Sequence, residues 1–145
     1  MEITKEEIIK GGEFITKETQ SGEIFTPEDF SEEQKMMRDA VKDFTDKEIW
    51  SKKHEFETHN YQLTADVMKK AGNLGFLGVN VPEEYGGLGM PFTSSMLVCD
   101  YISGSSGSTS TAFGAHTGIG TMPILLYGTD EQKIKYIPKL ATGEH

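Results

Sequence analysis

Tyr127-Gly-Thr-Asp-Glu-Gln-Lys-Ile-Lys-Tyr-Ile-Pro-Lys-Leu-Ala-Thr-Gly-Glu144 sits at the end of the sequence and reads as a helix with a marked start. Thr129-Asp-Glu-Gln132 has the spacing of a capping box, in which the Thr hydroxyl and the Gln side chain each satisfy an amide at the helix opening. The helix runs toward Lys139, with Pro138 near its end. The same signal recurs at Ser31-Glu-Glu-Gln34, followed by Met37, Val41 and Phe44 at helical spacing, so a stripe from about Ser31 to Ile49 faces a core. Thr64 is placed to cap a further helix whose Val67, Ala71 and Leu74 repeat that spacing, with Gly75 able to end it in the left-handed conformation. Thr93 to Ile102 is apolar nearly all round, which in a helix means burial on several sides. Four or five substantial helices and no convincing strand give an all-α fold, a helical bundle.

Between these elements lie less regular stretches. Gly75 to Pro91 is too rich in turn residues for helix, so its order must come from packing of Phe76, Leu77, Val79, Val81 and Tyr85. Ser103-Gly-Ser-Ser-Gly-Ser-Thr-Ser110 has the composition of a flexible linker. Pro123 marks a break or a fresh helix start. Thr4-Lys-Glu-Glu7 before Gly11-Gly12 has the signals of a short helix, and residues 13–27 alternate irregularly around Phe14, Ile15, Ile24 and Phe25. Residues 1–27 are therefore expected to form an N-terminal extended arm with a short helix at its start, and residues 28–145 one helical domain.

Composition limits the function classes. A chain of 145 residues, 36% hydrophobic and 26% charged, is long enough to bury a core. Its net charge of −9 repels a phosphate backbone or an anionic membrane surface, which argues against nucleic acid as a partner. The single cysteine, Cys99, lies in the apolar run 96–102 and cannot form an internal disulfide. The start of the chain lacks the pattern of a secretory or transit peptide, and no apolar run is long enough to span a bilayer, so the expectation is a cytoplasmic protein without a transmembrane segment.

No catalytic motif can be assigned. His54, His59, His116 and His145 have no ligand spacing, so no metal site is expected, and His116 is read as a hydrogen-bonded structural residue. The serines carry no G-x-S-x-G elbow, and Gly86, Gly87 and Gly89 lack the Lys-Ser/Thr of a phosphate loop, leaving a structural turn. Ser108 to Gly120 admits two readings. Its run of small residues, including Ser110, Ala112, Gly114, Ala115, Gly118 and Gly120, suits either the close approach of another helix or one wall of a groove.

Taken together, Val81-Pro-Glu-Glu-Tyr-Gly-Gly-Leu-Gly89, Phe113-Gly-Ala-His-Thr-Gly-Ile-Gly120 and the stretch from Tyr127 to Glu144 resemble the N-terminal helical domain of the acyl-CoA dehydrogenases, from about Phe25 to Glu144. The resemblance implies a helix with a short break through the Ser/Gly tract. It also implies a parent enzyme with FAD as cofactor that desaturates acyl-CoA substrates in fatty acid β-oxidation, a glutamate taking the α-proton and the β-hydride passing to the flavin. An electron-transferring flavoprotein would accept the electrons, and the parent would be a homo-oligomer in the bacterial cytoplasm. The family's flavin-holding β-domain and its C-terminal helical domain, which carries the catalytic base, would follow His145. No catalytic or cofactor-binding residue is therefore assigned here, Glu144 included, and the chain alone is expected to bind no flavin and to be inactive. By the same resemblance Ser110, Thr111, Gly114 and Ala115 would form acyl-tunnel wall, left open for long chains by small side chains at Ser110 and Gly114. Gly114-Ala-His-x-x-Ile-Gly120 is most similar to the very-long-chain branch. A non-catalytic helical interaction or assembly module and an acyl-CoA oxidase-type flavoenzyme are the alternatives.

Overall fold

A computed structural model describes Ile9 and residues 11–145, so the helix expected within the first ten residues lies outside the described residues. The chain divides into two compact units, residues 1–35 and 36–145. In the first, whose bounds differ from the 1–27 expected for an arm, the described residues make three single turns of 3-10 helix, Glu13–Ile15, Ser21–Glu23 and Pro27–Asp29, joined through extended residues at Gln20, Ile24 and Thr26. Local acids fix these turns. The Gln20 amide donates to the Glu23 carboxylate and the Thr26 amide to that of Asp29, each at 2.7 Å, as capping boxes do. The rings of Phe25 and Phe30 meet edge to face, with centroids 5.2 Å apart. The Ser31–Gln34 capping box forms as its spacing predicts, at 3.0 and 3.2 Å, and opens helix α1, Glu32–Glu48.

The second unit holds the core. Val41 and Phe44 of α1 are buried at the expected spacing, and Ile49 follows them inward. A short helix α2, Lys53–Glu57, carries the buried Phe56; five residues with one apolar anchor leave no periodicity to read in a sequence. Helix α3, Tyr61–Asn73, begins one turn before the Thr64 expected to cap it. Asn60 caps it instead, its side-chain oxygen accepting the Leu63 amide at 3.1 Å after His59 turns the backbone left-handed at φ 62°. Val67 and Ala71 are buried as expected, whereas Leu74 is exposed, and Gly75 ends the segment at φ 82°.

From Gly75 the chain folds back on itself. Two 3-10 turns, Phe76–Gly78 and Glu83–Tyr85, bring the amides of Leu88, Gly89 and Met90 onto the carbonyls of Gly78, Val81 and Val79 at 2.9 Å. Phe76, Leu77, Val79 and Val81 are buried and Tyr85 half-buried. Gly87 is required here: a Cβ would run into the Val81 carbonyl oxygen. Helix α4, Phe92–Ser105, buries Ser94, Leu97, Val98 and Ile102 but leaves Phe92 and Met96 in solvent. Phe44 and Phe76 meet edge to face at 5.4 Å in a core that also takes in Phe56, Val98, Ile102 and Phe113. Helices α5, Gly107–Gly114, α6, Met122–Tyr127, and α7, Asp130–Ala141, complete an all-helical unit, with no strand among the described residues. The Thr129 capping box forms at both bonds, 2.9 and 3.3 Å.

Candidate functional site

The Ser/Gly tract is helix, not linker. Ser105 and Ser106 are buried, Ser105 Oγ donates to the Tyr101 carbonyl at 2.9 Å, and the single extended residue Ser106 breaks the chain between α4 and α5. Composition misleads here because small hydroxyl side chains can pack inside a unit when their protons find backbone carbonyls.

Helix α5 has two unlike faces. Thr109 and Phe113 point inward, and the Thr109 hydroxyl is buried without a hydrogen-bond partner. Gly107, Thr111 and Gly114 recur at i, i+4 and i+7 on the other side, continuing to Gly118. A Cβ at Gly107, Gly114 or Gly118 would meet nothing within 4 Å. Of the four residues assigned to a wall, Ser110 and Ala115 are half-buried while Thr111 and Gly114 are exposed. Their positions span one arc of the helix, opposite Thr109 and Phe113. Ser110 Oγ donates to Ser103 Oγ at 3.1 Å, and Thr111 Oγ1 to the Gly107 carbonyl at 2.9 Å, so both hydroxyls are engaged close to the helix.

Beyond Gly114 the helix widens. Residues Ala115–Thr121 take π-helical register, a feature rare enough to need a cause. Thr117 Oγ1 donates to the Phe113 carbonyl and Thr121 Oγ1 to that of His116, both at 2.8 Å. Pro123, at the start of α6, has no amide to offer the Ile119 carbonyl. His116 Nε2 lies 2.8 Å from the Leu140 carbonyl, which can only accept, so the ring carries its proton on Nε2 and ties the π turn to the end of α7. That is the structural role expected of this histidine.

A shallow apolar groove that sequence reasoning missed lies between α6 and α7, lined by Pro123, Ile124, Tyr127, Gly128, Gln132 and Tyr136. Ile124 and Tyr127 keep ordinary helical spacing, which reads as core until their exposure is known. Among the described residues no three His, Cys, Asp or Glu side chains gather as a metal site, and no helix is long and apolar enough to cross a membrane.

Comparison with known proteins agrees with this architecture. The family model for the acyl-CoA dehydrogenase N-terminal domain matches residues 31–144. A probable acyl-CoA dehydrogenase of Bacillus subtilis (strain 168) is 42% identical over 138 residues, 95% of this chain and 23% of that protein. A mitochondrial isovaleryl-CoA dehydrogenase of Solanum tuberosum is 38% identical over 117 residues, 80% of this chain and 28% of the relative. The crystal structure of an acyl-CoA dehydrogenase complexed with FAD from Bacillus anthracis superimposes with a TM-score of 0.86 at 45% identity, over 94% of this chain and 23% of that one. The chain thus spans about a quarter of the length of the relatives it matches. An all-helical unit, matched from Ser31 to Glu144 by the family model and over nearly its whole length by a solved relative, places the chain in the acyl-CoA dehydrogenase family as its N-terminal domain.

Proposed function

We propose that this chain is the N-terminal domain of an FAD-dependent enzyme that desaturates long-chain fatty acyl-CoA for β-oxidation in the bacterial cytoplasm, and that α5 with its π turn supplies one wall of the acyl tunnel. In this reading the parent is a homo-oligomer that passes electrons to an electron-transferring flavoprotein. The relative of known structure holds FAD. In this reading the domain's part is to bind and shape the substrate.

The observation that carries the wall assignment is the open face of α5. If Gly107, Gly114 and Gly118 were small to admit a neighbouring helix of this chain, a backbone would lie against them; among the described residues none does. An apolar tail laid along glycines meets only backbone and Cα hydrogens and loses no volume to side chains.

The test is substrate length. In the complete enzyme Gly114→Gln would fill space used by distal methylenes, each worth roughly 0.8 kcal/mol of burial. Excluding three costs about 2.4 kcal/mol, a loss of roughly fifty-fold in kcat/KM for long acyl-CoAs, with short ones spared. One relative is named for a short branched substrate, isovaleryl-CoA, so the comparison of chain lengths decides between a long substrate and a short one. Equal losses across all chain lengths, or a wild type that prefers short chains, would refute the long-chain wall.

A further inference from the structure

The arm has no interior of its own. Between Gly11 and Phe30 no described residue is buried, and Phe14, Ile15, Ile24 and Phe25 are 56, 77, 42 and 39% exposed. Its hydrogen bonds close single turns, apart from that of the Ile9 amide to the Glu23 carbonyl at 2.9 Å, and set up no core. Fixing a backbone costs roughly 1–2 kcal/mol per residue in conformational entropy, and a segment with four outward apolar side chains recovers that only against an apolar surface supplied from elsewhere.

The relatives share the arm unevenly. The family model begins at Ser31, after the arm. The Bacillus subtilis relative matches 138 of the 145 residues, so its match includes the arm. The isovaleryl-CoA dehydrogenase matches 117 residues, too few to contain both the family domain and the arm. Their lengths differ in the same sense. The larger match, 138 residues, is only 23% of the Bacillus subtilis protein, whereas the smaller, 117 residues, is 28% of the isovaleryl-CoA dehydrogenase, so the first protein is much the longer. The Bacillus anthracis structure, matched over 94% of this chain and again 23% of its own, belongs with the longer protein. The arm accompanies extra chain elsewhere.

We infer that the exposed face of the arm, Phe14, Ile15, Ile24 and Phe25, is a docking surface for that additional stretch, within the same polypeptide, by which the longer relatives exceed the shorter ones. Charge specifies the partner face further. Glu13, Glu18, Glu23, Glu28 and Asp29 stand against Lys17 alone in residues 11–30, so the complementary surface is an apolar patch with a basic rim.

The experiment places a photo-reactive benzoylphenylalanine at Phe14 of the full-length parent protein, and separately at Ile15, with retained turnover as the check on folding. Crosslinked peptides from the additional stretch of the same chain are expected at both positions, and Ile24→Asp should reduce their yield at least tenfold. Crosslinks confined to the family domains, crosslinks to a second copy in isotopically mixed oligomers, the absence of any crosslink, or a parent no longer than the isovaleryl-CoA dehydrogenase would each overturn the inference.

Discussion

Gly87 and Gly114 are small for opposite reasons, and alanine separates them. A methyl at Gly87 would strike the Val81 carbonyl oxygen, whereas one at Gly114 would meet open space. Gly87→Ala should therefore cost about 3 kcal/mol, the upper range for overpacking. Gly114→Ala should stabilise the domain by about 0.5–1 kcal/mol, because glycine inside a helix costs that much relative to alanine. Urea denaturation of the two variants checks both signs; destabilisation by Gly114→Ala would mean that something packs there. At this scale the sequence revealed the residue types but not their surroundings. That Ser110, Thr111, Gly114 and Ala115 share a helix followed from the family resemblance and not from composition, which read as linker, while the emptiness beside Gly114 depends on where every other helix goes.

Among the elements, α1 and α7 were legible because their starts are written in four consecutive residues, Ser31–Gln34 and Thr129–Gln132, whose bonds form locally. The start of α3 was misread at Thr64 because Asn60, behind the left-handed His59, reaches the Leu63 amide first. The π turn was invisible, since it needs Thr117, Thr121, His116 and Pro123 to act together and one of their partners, Leu140, lies 24 residues away. The end of α1 offers a pH test. Glu48 accepts from Lys52 and Lys70 at 2.8 and 2.6 Å, and these bonds, Lys52's first, hold its carboxyl below the usual range. A lowered folded-state pKa gives stability that is present above the unfolded value of 4.5 and lost as pH falls through the folded one. Glu48→Gln should thus lower Tm at pH 7, with the gap from wild type narrowing as pH falls below 4.5. A gap that stays constant however far the pH falls below 4.5 would point to lost packing instead.

The second unit leaves several large apolar side chains in solvent. Ile119, Tyr127 and Ile134 are 81, 87 and 68% exposed, and Leu126 and Phe92 are more than half exposed. Patches beyond a few hundred square ångströms on a soluble protein recruit partners or aggregate. The chain purified alone is expected to self-associate with rising concentration and to bind a hydrophobic dye strongly. A monomer that binds little dye at every concentration would favour an independent interaction module.

The wall assignment is tested most directly by a crystal structure of the parent enzyme with a bound long-chain acyl-CoA. The distal methylenes should lie within van der Waals contact, ~4 Å, of the Cα atoms of Gly114 and Gly118. A helix of the parent filling that space, with the acyl chain ending elsewhere, would contradict the account.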